Sequence, residues 1–168
     1  MTVRPKTRAH RYAAHVAWTG AAGGPTSSYA AYSRTYRVEF EGKPPIDGSA
    51  DATFRGDPAL HNPEELLLAA LASCHLLSYL ALCALAGIEV VAYADDAEAT
   101  MEETAGAGRV THAVLRPRVT VAGGDLEHAL ALHEQAHAQC FIAASVNFPV
   151  EVRPAVAVAE PGGAPERQ

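Results

Sequence analysis

The sequence predicts an α+β fold in a single domain that spans residues 1–159. Three observations support it: strand-like segments lie on both sides of one long apolar helix, a second helix follows later, and the chain shows neither βαβ alternation nor an internal repeat. The chain has 168 residues, of which 49% are apolar and 19% charged, and this composition suffices for one buried core. The remaining residues, 160–168, are rich in proline and glycine and are predicted to form a disordered tail.

The first third of the chain is predicted to form short strands and turns. His10–Phe40 is rich in tyrosine, valine and threonine, and a glycine-rich turn at Gly20–Pro25 interrupts it, which predicts two or three strands. The next segment, Gly42–His61, contains too many prolines and glycines for a long element. We therefore expect turns there, around one short strand at Ala52–Arg55.

A long helix is predicted to begin directly after Asn62. Asparagine is a favoured N-cap residue, a proline follows it at the first helical position, and the carboxylates of Glu64 and Glu65 favour the positive end of the helix dipole. The helix should run to about Ala84 and end at Gly87.

The second half of the chain is predicted to contain strands and one further helix. Asp125 can cap a helix over Leu126–Ala138, after the glycine pair that precedes it. A polar turn around 103–108 separates two of the strand patterns, so these two are expected to form an antiparallel pair. The predicted strands are Val90–Met101, Arg109–Val121 and Phe148–Ala159.

Charge and composition exclude several classes of function. The formal net charge is −6 and the pI is about 5.7, without a run of Lys or Arg, which argues against nucleic acid or an anionic membrane surface as a partner. The amino-terminal residues are polar and basic with no apolar segment after them, so we expect a cytoplasmic protein. The apolar run Leu66–Ile88 is interrupted by polar residues and suits a buried helix better than a bilayer span. GxGxxG, Walker and HExxH motifs are absent from the sequence.

Two cysteine-containing stretches carry the most specific signal. The first begins with NPEEL at 62–66 and leads through small and apolar residues to Cys74; the second, His137–Ala143, contains Cys140 at the end of the second predicted helix. Together they resemble the signature of the OsmC/Ohr family (osmotically inducible protein C and organic hydroperoxide resistance protein), and its OsmC-like branch in particular. The resemblance extends from about Trp18 to Val158 and implies antiparallel sheets wrapped around two central helices in an intertwined homodimer.

The resemblance also implies a reaction. In this family the first cysteine, here Cys74, attacks an organic hydroperoxide, and the second, here Cys140, resolves the resulting sulfenic acid as a disulfide. An external dithiol, typically a lipoyl-type or small thiol, then reduces the disulfide, and no cofactor is required. Apolar residues near both cysteines suit an alkyl or lipid hydroperoxide better than hydrogen peroxide.

Two further residues match the family's catalytic positions. Burial in an apolar helix disfavours a thiolate, so a cation is needed nearby, and Arg55 matches the arginine of OsmC-type members. Arg34 or Arg37 is the alternative, because Ohr-type relatives place this arginine differently. Glu64 matches the carboxylate that orients the arginine, yet it lies roughly 15 Å along the helix from Cys74. We therefore expect a site shared between two subunits.

Other interpretations remain open. The chain has Phe141 where many relatives have proline. The alternative interpretation is therefore a redox-inert protein that binds a small ligand in the same cleft. His133, His137 and Cys140 share one helix face and could hold zinc in a structural protein, although a polar face formed with Glu134 and Gln135 is favoured. Cys83 and His75 are expected to be structural, because Cys83 lies opposite Cys74 on the helix and His75 points about 100° away from it.

Overall fold

The computed structural model describes residues 8–104 and 106–160, and within these residues the chain forms nine strands, two α-helices and three short 3₁₀-helices. It divides into two compact units, one that ends at Pro63 and one that begins at Glu64. The single domain over residues 1–159 stays a prediction. The predicted disordered tail falls, apart from Glu160, outside the described residues, and so do the first seven residues and residue 105 of the predicted 103–108 turn.

The first unit contains one antiparallel sheet. Its strands β1 (His15–Trp18), β2 (Tyr36–Glu39) and β3 (Ile46–Gly48) lie in the order β1-β2-β3. Two or three strands were expected up to Phe40, and two form there. The indole Nε1 of Trp18 donates to the carbonyl of Ser33 at 2.8 Å, which ties the end of β1 to the residues before β2.

The predicted strand at Ala52–Arg55 is wrong. Ala52–Phe54 is a 3₁₀-helix, because the carboxylate of Asp51 accepts a hydrogen bond from the amide of Thr53 at 2.7 Å and turns the chain. Arg55 then adopts a left-handed backbone conformation with φ 65°. Local competition from the aspartate side chain therefore overrides the strand pattern.

The long helix α1 (Pro63–Ala86) belongs, apart from its first residue, to the second unit, and it ends at Gly87 with φ 72°. Both predicted ends of this helix are confirmed. Leu71, His75, Tyr79 and Cys83 recur at four-residue spacing and are buried. Tyr79 and Cys83 pack against residues of one strand and a second helix to form the core, which comprises Tyr79, Cys83, Val119, Val121, Leu132 and Ala136. By length and composition α1 is also long and apolar enough to cross a bilayer, a test that core helices of soluble proteins pass as well.

Two three-stranded sheets complete the second unit. Their orders are β4-β7-β9 and β5-β6-β8; β4–β7 and β5–β6 are antiparallel, whereas β6–β8 and β7–β9 are parallel. The antiparallel pairing of the two middle strand patterns is thus confirmed. The strands are β4 Val90–Asp95, β5 Glu98–Thr104, β6 Ala107–Leu115, β7 Pro117–Val121, β8 Val150–Val152 and β9 Ala155–Val158.

Each of the three predicted strand segments is divided into two strands that belong to different sheets. The carboxylate of Asp95 accepts a hydrogen bond from the amide of Arg116 at 2.7 Å, where β6 gives way to β7. The amide of Arg153 donates to the carbonyl of Leu115 at 2.8 Å, and Pro154 has no amide to continue β8. These bonds are long-range, so the local pattern does not show the breaks.

The second helix, α2 (Leu126–Gln139), confirms the predicted segment. The carboxylate of its N-cap, Asp125, accepts a hydrogen bond from the amide of His128 at 3.0 Å. The Tyr79 hydroxyl on α1 donates to the carbonyl of Ala129 on α2 at 3.1 Å, so the two helices are in contact. The helix ends at Cys140, whose backbone is extended.

Candidate redox site of Cys74 and Cys140

Cys74 lies on the side of α1 that faces away from the core. It is half-buried in the wall of an open groove of about 720 Å³. Small and apolar side chains of α1, among them Leu77 and Leu85, line the groove together with Phe141 and Ile142 from the chain after α2. The groove therefore brings a thiol next to a surface that an alkyl chain can occupy.

Cys140 is buried and has its thiol in hydrogen-bonding contact with the thiol of Cys74. Burial is the main cause that raises the pKa of Cys140, and the hydrogen bond and charge of Cys74 raise it further. Two backbone amides act in the opposite direction and lower this pKa: those of Ala143, at 3.4 Å from Sγ, and Ile142. Both thiols are reduced, and two cysteines 66 positions apart in sequence meet.

Arg55 occupies a constrained turn in the first unit. Its backbone is left-handed, and the following Gly56 packs so closely on the carbonyl of Ala50 that a Cβ atom would lie 1.5 Å from the oxygen. The Arg55 side chain is exposed, and within the described part of the chain it makes no hydrogen bond or ion pair. Its predicted role beside Cys74 stays a prediction.

The alternative arginines are already engaged. Arg37 on β2 holds Asp47 on β3 through two hydrogen bonds of 2.7 and 2.8 Å. The guanidinium of Arg34 lies over two aromatic rings, 4.8 Å from the centroid of Tyr29 and 4.0 Å from that of Tyr32, and donates to the carbonyls of both residues. Of the three candidates, Arg55 is the one whose guanidinium remains available.

Glu64 lies in the first turn of α1 and is half-buried. In this position its carboxylate stabilises the helix dipole whatever else it does. Its orientation of an arginine stays a prediction too, because Glu64 and Cys74 are ten positions apart on one helix and their side chains are far from each other.

The structure contains a buried histidine pair next to the cysteines, which is not part of the site predicted from the sequence. Nε2 of His75 on α1 and Nδ1 of His133 on α2 lie 3.0 Å apart, and Tyr79 stacks on His133 with ring centroids separated by 3.8 Å. Burial, together with a smaller effect of a neighbouring histidine, lowers the pKa of His75 to about 4 and that of His133 to about 3. His75 is structural as expected, but the polar face proposed for His133 is wrong, because this side chain is 2% exposed.

The sequence held a signal for this pair. His75 continues the four-residue spacing of the buried Leu71, Tyr79 and Cys83, and the expected core position of Cys83 is confirmed. The described residues contain no group of three or more His, Cys, Asp or Glu side chains that could hold a metal. The zinc interpretation therefore lacks a ligand set there.

Comparison with known proteins identifies relatives. A family model described as OsmC-like protein matches residues 56–154, more than half of the chain, and the match includes Glu64, Cys74 and Cys140. The structure of an OsmC-like protein of unknown function from Vibrio cholerae is 32% identical, with a TM-score of 0.76; the alignment covers 88% of this chain and all of that one.

Two structures named as organic hydroperoxide resistance proteins share the fold. The one from Legionella pneumophila is 20% identical with a TM-score of 0.63 and covers 90% of this chain and 100% of its own. That from Elizabethkingia anophelis is 18% identical with the same TM-score of 0.63 and covers 92% and 100%. None of the curated proteins matches the chain. The predicted α+β, OsmC-like fold is thus confirmed, and the chain belongs to the OsmC family.

Proposed function

We propose that this protein is a thiol-dependent peroxidase that reduces organic hydroperoxides to alcohols. The observation that carries the proposal is the contact between the thiols of Cys74 and Cys140 at the edge of an apolar groove. The names of the Legionella and Elizabethkingia proteins, which share the fold, point to the same class of substrate.

The reaction uses both cysteines. The Cys74 thiolate attacks one peroxide oxygen, the O–O bond breaks, and the alkoxide that leaves takes up a proton to give the alcohol. Cys74 is then a sulfenic acid. The Cys140 sulfur attacks it, the Cys74–Cys140 disulfide forms, and the hydroxide that leaves becomes water. An external dithiol, lipoyl-type or a small thiol, restores both thiols through exchange.

The groove favours substrates with an alkyl body. Its lining is mostly apolar and extends from Cys74 along α1 to Leu85. Burial of apolar surface contributes roughly 25 cal/mol for each Å². A substrate with several methylene groups therefore gains binding energy that hydrogen peroxide cannot gain.

We assign Arg55 as the cation that stabilises the Cys74 thiolate and the peroxide oxygen, and Glu64 as the carboxylate that orients it. The exposed and unengaged side chain of Arg55 supports this choice over Arg34 and Arg37, which have partners. A guanidinium can donate several hydrogen bonds at once, and it remains charged at any relevant pH.

A homodimer is part of the proposal. Leu77 is 66% exposed, Leu85 85% and Phe141 82%, and all three line the groove beside Cys74, so their apolar side chains form one exposed surface. A second copy of the chain would cover this surface and add its own Arg55 and Glu64 to the neighbourhood of Cys74. We also propose a cytoplasmic location. The net charge of −6 favours neither nucleic acid nor an anionic membrane surface as a partner.

The proposal is tested by oxidation of the reduced protein with cumene hydroperoxide, followed by thiol counting and peptide mapping by mass spectrometry. We expect two of three thiols to disappear and a Cys74–Cys140 bridge to form. Cys83→Ala is the matched control, because Cys83 is buried in the core and should leave the result unchanged. Survival of all three thiols would refute the peroxidase and favour the redox-inert ligand-binding protein.

A further inference from the structure

The turn after α2 directs backbone amides at the sulfur of Cys140. The amide of Ala143 lies 3.4 Å from Sγ and that of Ile142 also donates to it. The amide of Ala144 donates to the carbonyl of Cys140 at 3.0 Å, and the hydroxyl of Ser145 donates to the carbonyl of Phe141 at 2.6 Å. These bonds fix the turn, so the two amides are held in place before any charge forms on the sulfur.

The buried sulfur has no cationic partner in the described part of the chain. Cys74 is the titratable side chain that acts on the Cys140 thiol, and its hydrogen bond and charge oppose ionisation of Cys140. His137, one turn earlier on α2, contributes its carbonyl to the amide of Cys140 at 3.2 Å. Among the described residues, the two amides are therefore the groups that favour a negative charge on Cys140.

Building on the proposed peroxidase, we propose that the amides of Ile142 and Ala143 stabilise the Cys140 thiolate in the resolving step, and that Cys74 keeps Cys140 protonated until Cys74 itself is oxidised. Before oxidation, the Cys140 thiol donates its hydrogen bond to the Cys74 thiolate. After oxidation, Cys74 is a neutral sulfenic acid and no longer opposes ionisation. Cys140 then loses its proton to solvent, and its thiolate displaces hydroxide from the Cys74 sulfur.

The position of the two amide donors bears on one departure of this chain from the family pattern. The family resemblance implies a proline directly after the second cysteine, where this chain has Phe141. The amide donors come from the two residues after Phe141, so both donors are present whether position 141 is phenylalanine or proline. The resolving thiol thus depends on the turn and not on the proline.

The first test measures the ionisation of Cys140 by the ¹³Cβ chemical shift of labelled cysteine in two variants. Cys74→Ser imitates the neutral state and Cys74→Asp the charged state. We expect the titration midpoint of Cys140 to lie about one pH unit lower in Cys74→Ser, because a like charge nearby disfavours ionisation. Equal midpoints, or the reverse order, would overturn the proposal. If Cys74→Asp does not fold, the reduced wild type takes its place, with the same expected order.

The second test removes one amide. The φ of Ile142 is −71°, which a proline ring accepts, so Ile142→Pro removes the amide donor. Ile142→Ala also removes the isoleucine side chain but keeps the amide, and it is the matched control. After one equivalent of hydroperoxide, we expect disulfide formation to be about tenfold slower in the proline variant, with equal rates of peroxide consumption. Equal rates of disulfide formation would contradict the role of the amide. If neither variant consumes peroxide, the proposed function fails, whereas the titration midpoints still decide the state of Cys140.

Discussion

The two sides of α1 differ in a way that the residue types alone would not suggest. The side with Leu71, His75, Tyr79 and Cys83 carries the polar rings and is buried, whereas the side with Cys74 is apolar and largely exposed. Histidine and tyrosine therefore serve packing between α1 and α2, and the cysteine to which we assign the reaction lies on the side whose composition resembles a core. In the proposed function, the apolar exposed surface serves as dimer interface and substrate groove, whereas the buried polar rings hold the two helices together.

Substitutions on the two sides should differ most in their effect on stability. Tyr79 is fully buried and donates to Ala129, so Tyr79→Ala should lower the free energy of unfolding by about 3–5 kcal/mol. Leu85→Ala on the other side should cost under about 1 kcal/mol in the isolated subunit, since the side chain is already exposed. Urea unfolding at low protein concentration measures both, and equal losses would show that the distinction is wrong.

The buried histidine pair predicts acid sensitivity. The pKa of His75 is about 4 and that of His133 about 3 in the folded protein, against 6.5 when exposed, so the unfolded state binds more protons as pH falls below 6.5. Stability should therefore decline from about pH 6.5 down towards pH 3, by up to about 1.4 kcal/mol per pH unit for each histidine.

The double variant His75→Phe with His133→Phe removes both buried titrating groups while it preserves ring packing. Its free energy of unfolding should vary much less between pH 6.5 and 4 than that of the wild type. His128→Phe, at an exposed position on α2, is the matched control and should keep the wild-type slope. An unchanged slope in the double variant would assign the acid sensitivity to other groups.

Charge on the exposed side of α1 should break the proposed dimer. Leu77→Glu or Leu85→Glu places a carboxylate in the interface, and the loss of one buried leucine corresponds to about 1.5–3 kcal/mol, or roughly ten- to a hundredfold in the dimer dissociation constant. Sedimentation velocity measures this constant. Leu126→Glu, in the first turn of α2, is the control. A wild-type protein that sediments as a monomer at micromolar concentration would refute the interface.

The smallest effects are expected from the arginines. Arg55→Gln should slow hydroperoxide reduction about tenfold, the equivalent of one lost charge-assisted hydrogen bond. Arg37→Gln breaks only the exposed pair with Asp47, so it should leave the rate unchanged and cost under about 1 kcal/mol of stability. Steady-state rates with an alkyl hydroperoxide compare the two variants. A larger loss of rate in Arg37→Gln would assign the stabilisation of the Cys74 thiolate to Arg37 and not to Arg55.

Local signals predicted much of this fold. The caps and glycine of α1 and the Asp125 cap of α2 act within a few residues, so the ends of both helices could be placed from the sequence. The breaks at Asp95 and Arg153 depend on partners about 20 or more residues away, and they were missed for that reason.

The site shows the same division. Cys74 and Cys140 are recognisable from their sequence context, because each motif is local in the chain. The amides of Ile142 and Ala143 could not be found, because every residue has an amide and only the turn geometry directs these two at a sulfur. The partner of Arg37 and the stacking of Arg34 were likewise invisible, since neither Asp47 nor the two tyrosines form a motif with them.

The most direct test of the central claim is the stoichiometry of one anaerobic turnover with an organic hydroperoxide. The account predicts that the reduced wild type consumes one equivalent per subunit and loses two thiols. Cys140→Ser should consume one equivalent and lose one thiol as a sulfenic acid, and Cys74→Ser should consume none. Consumption by Cys74→Ser at the wild-type level, or an unreacted wild type, would contradict the assignment of Cys74 as the attacking thiol.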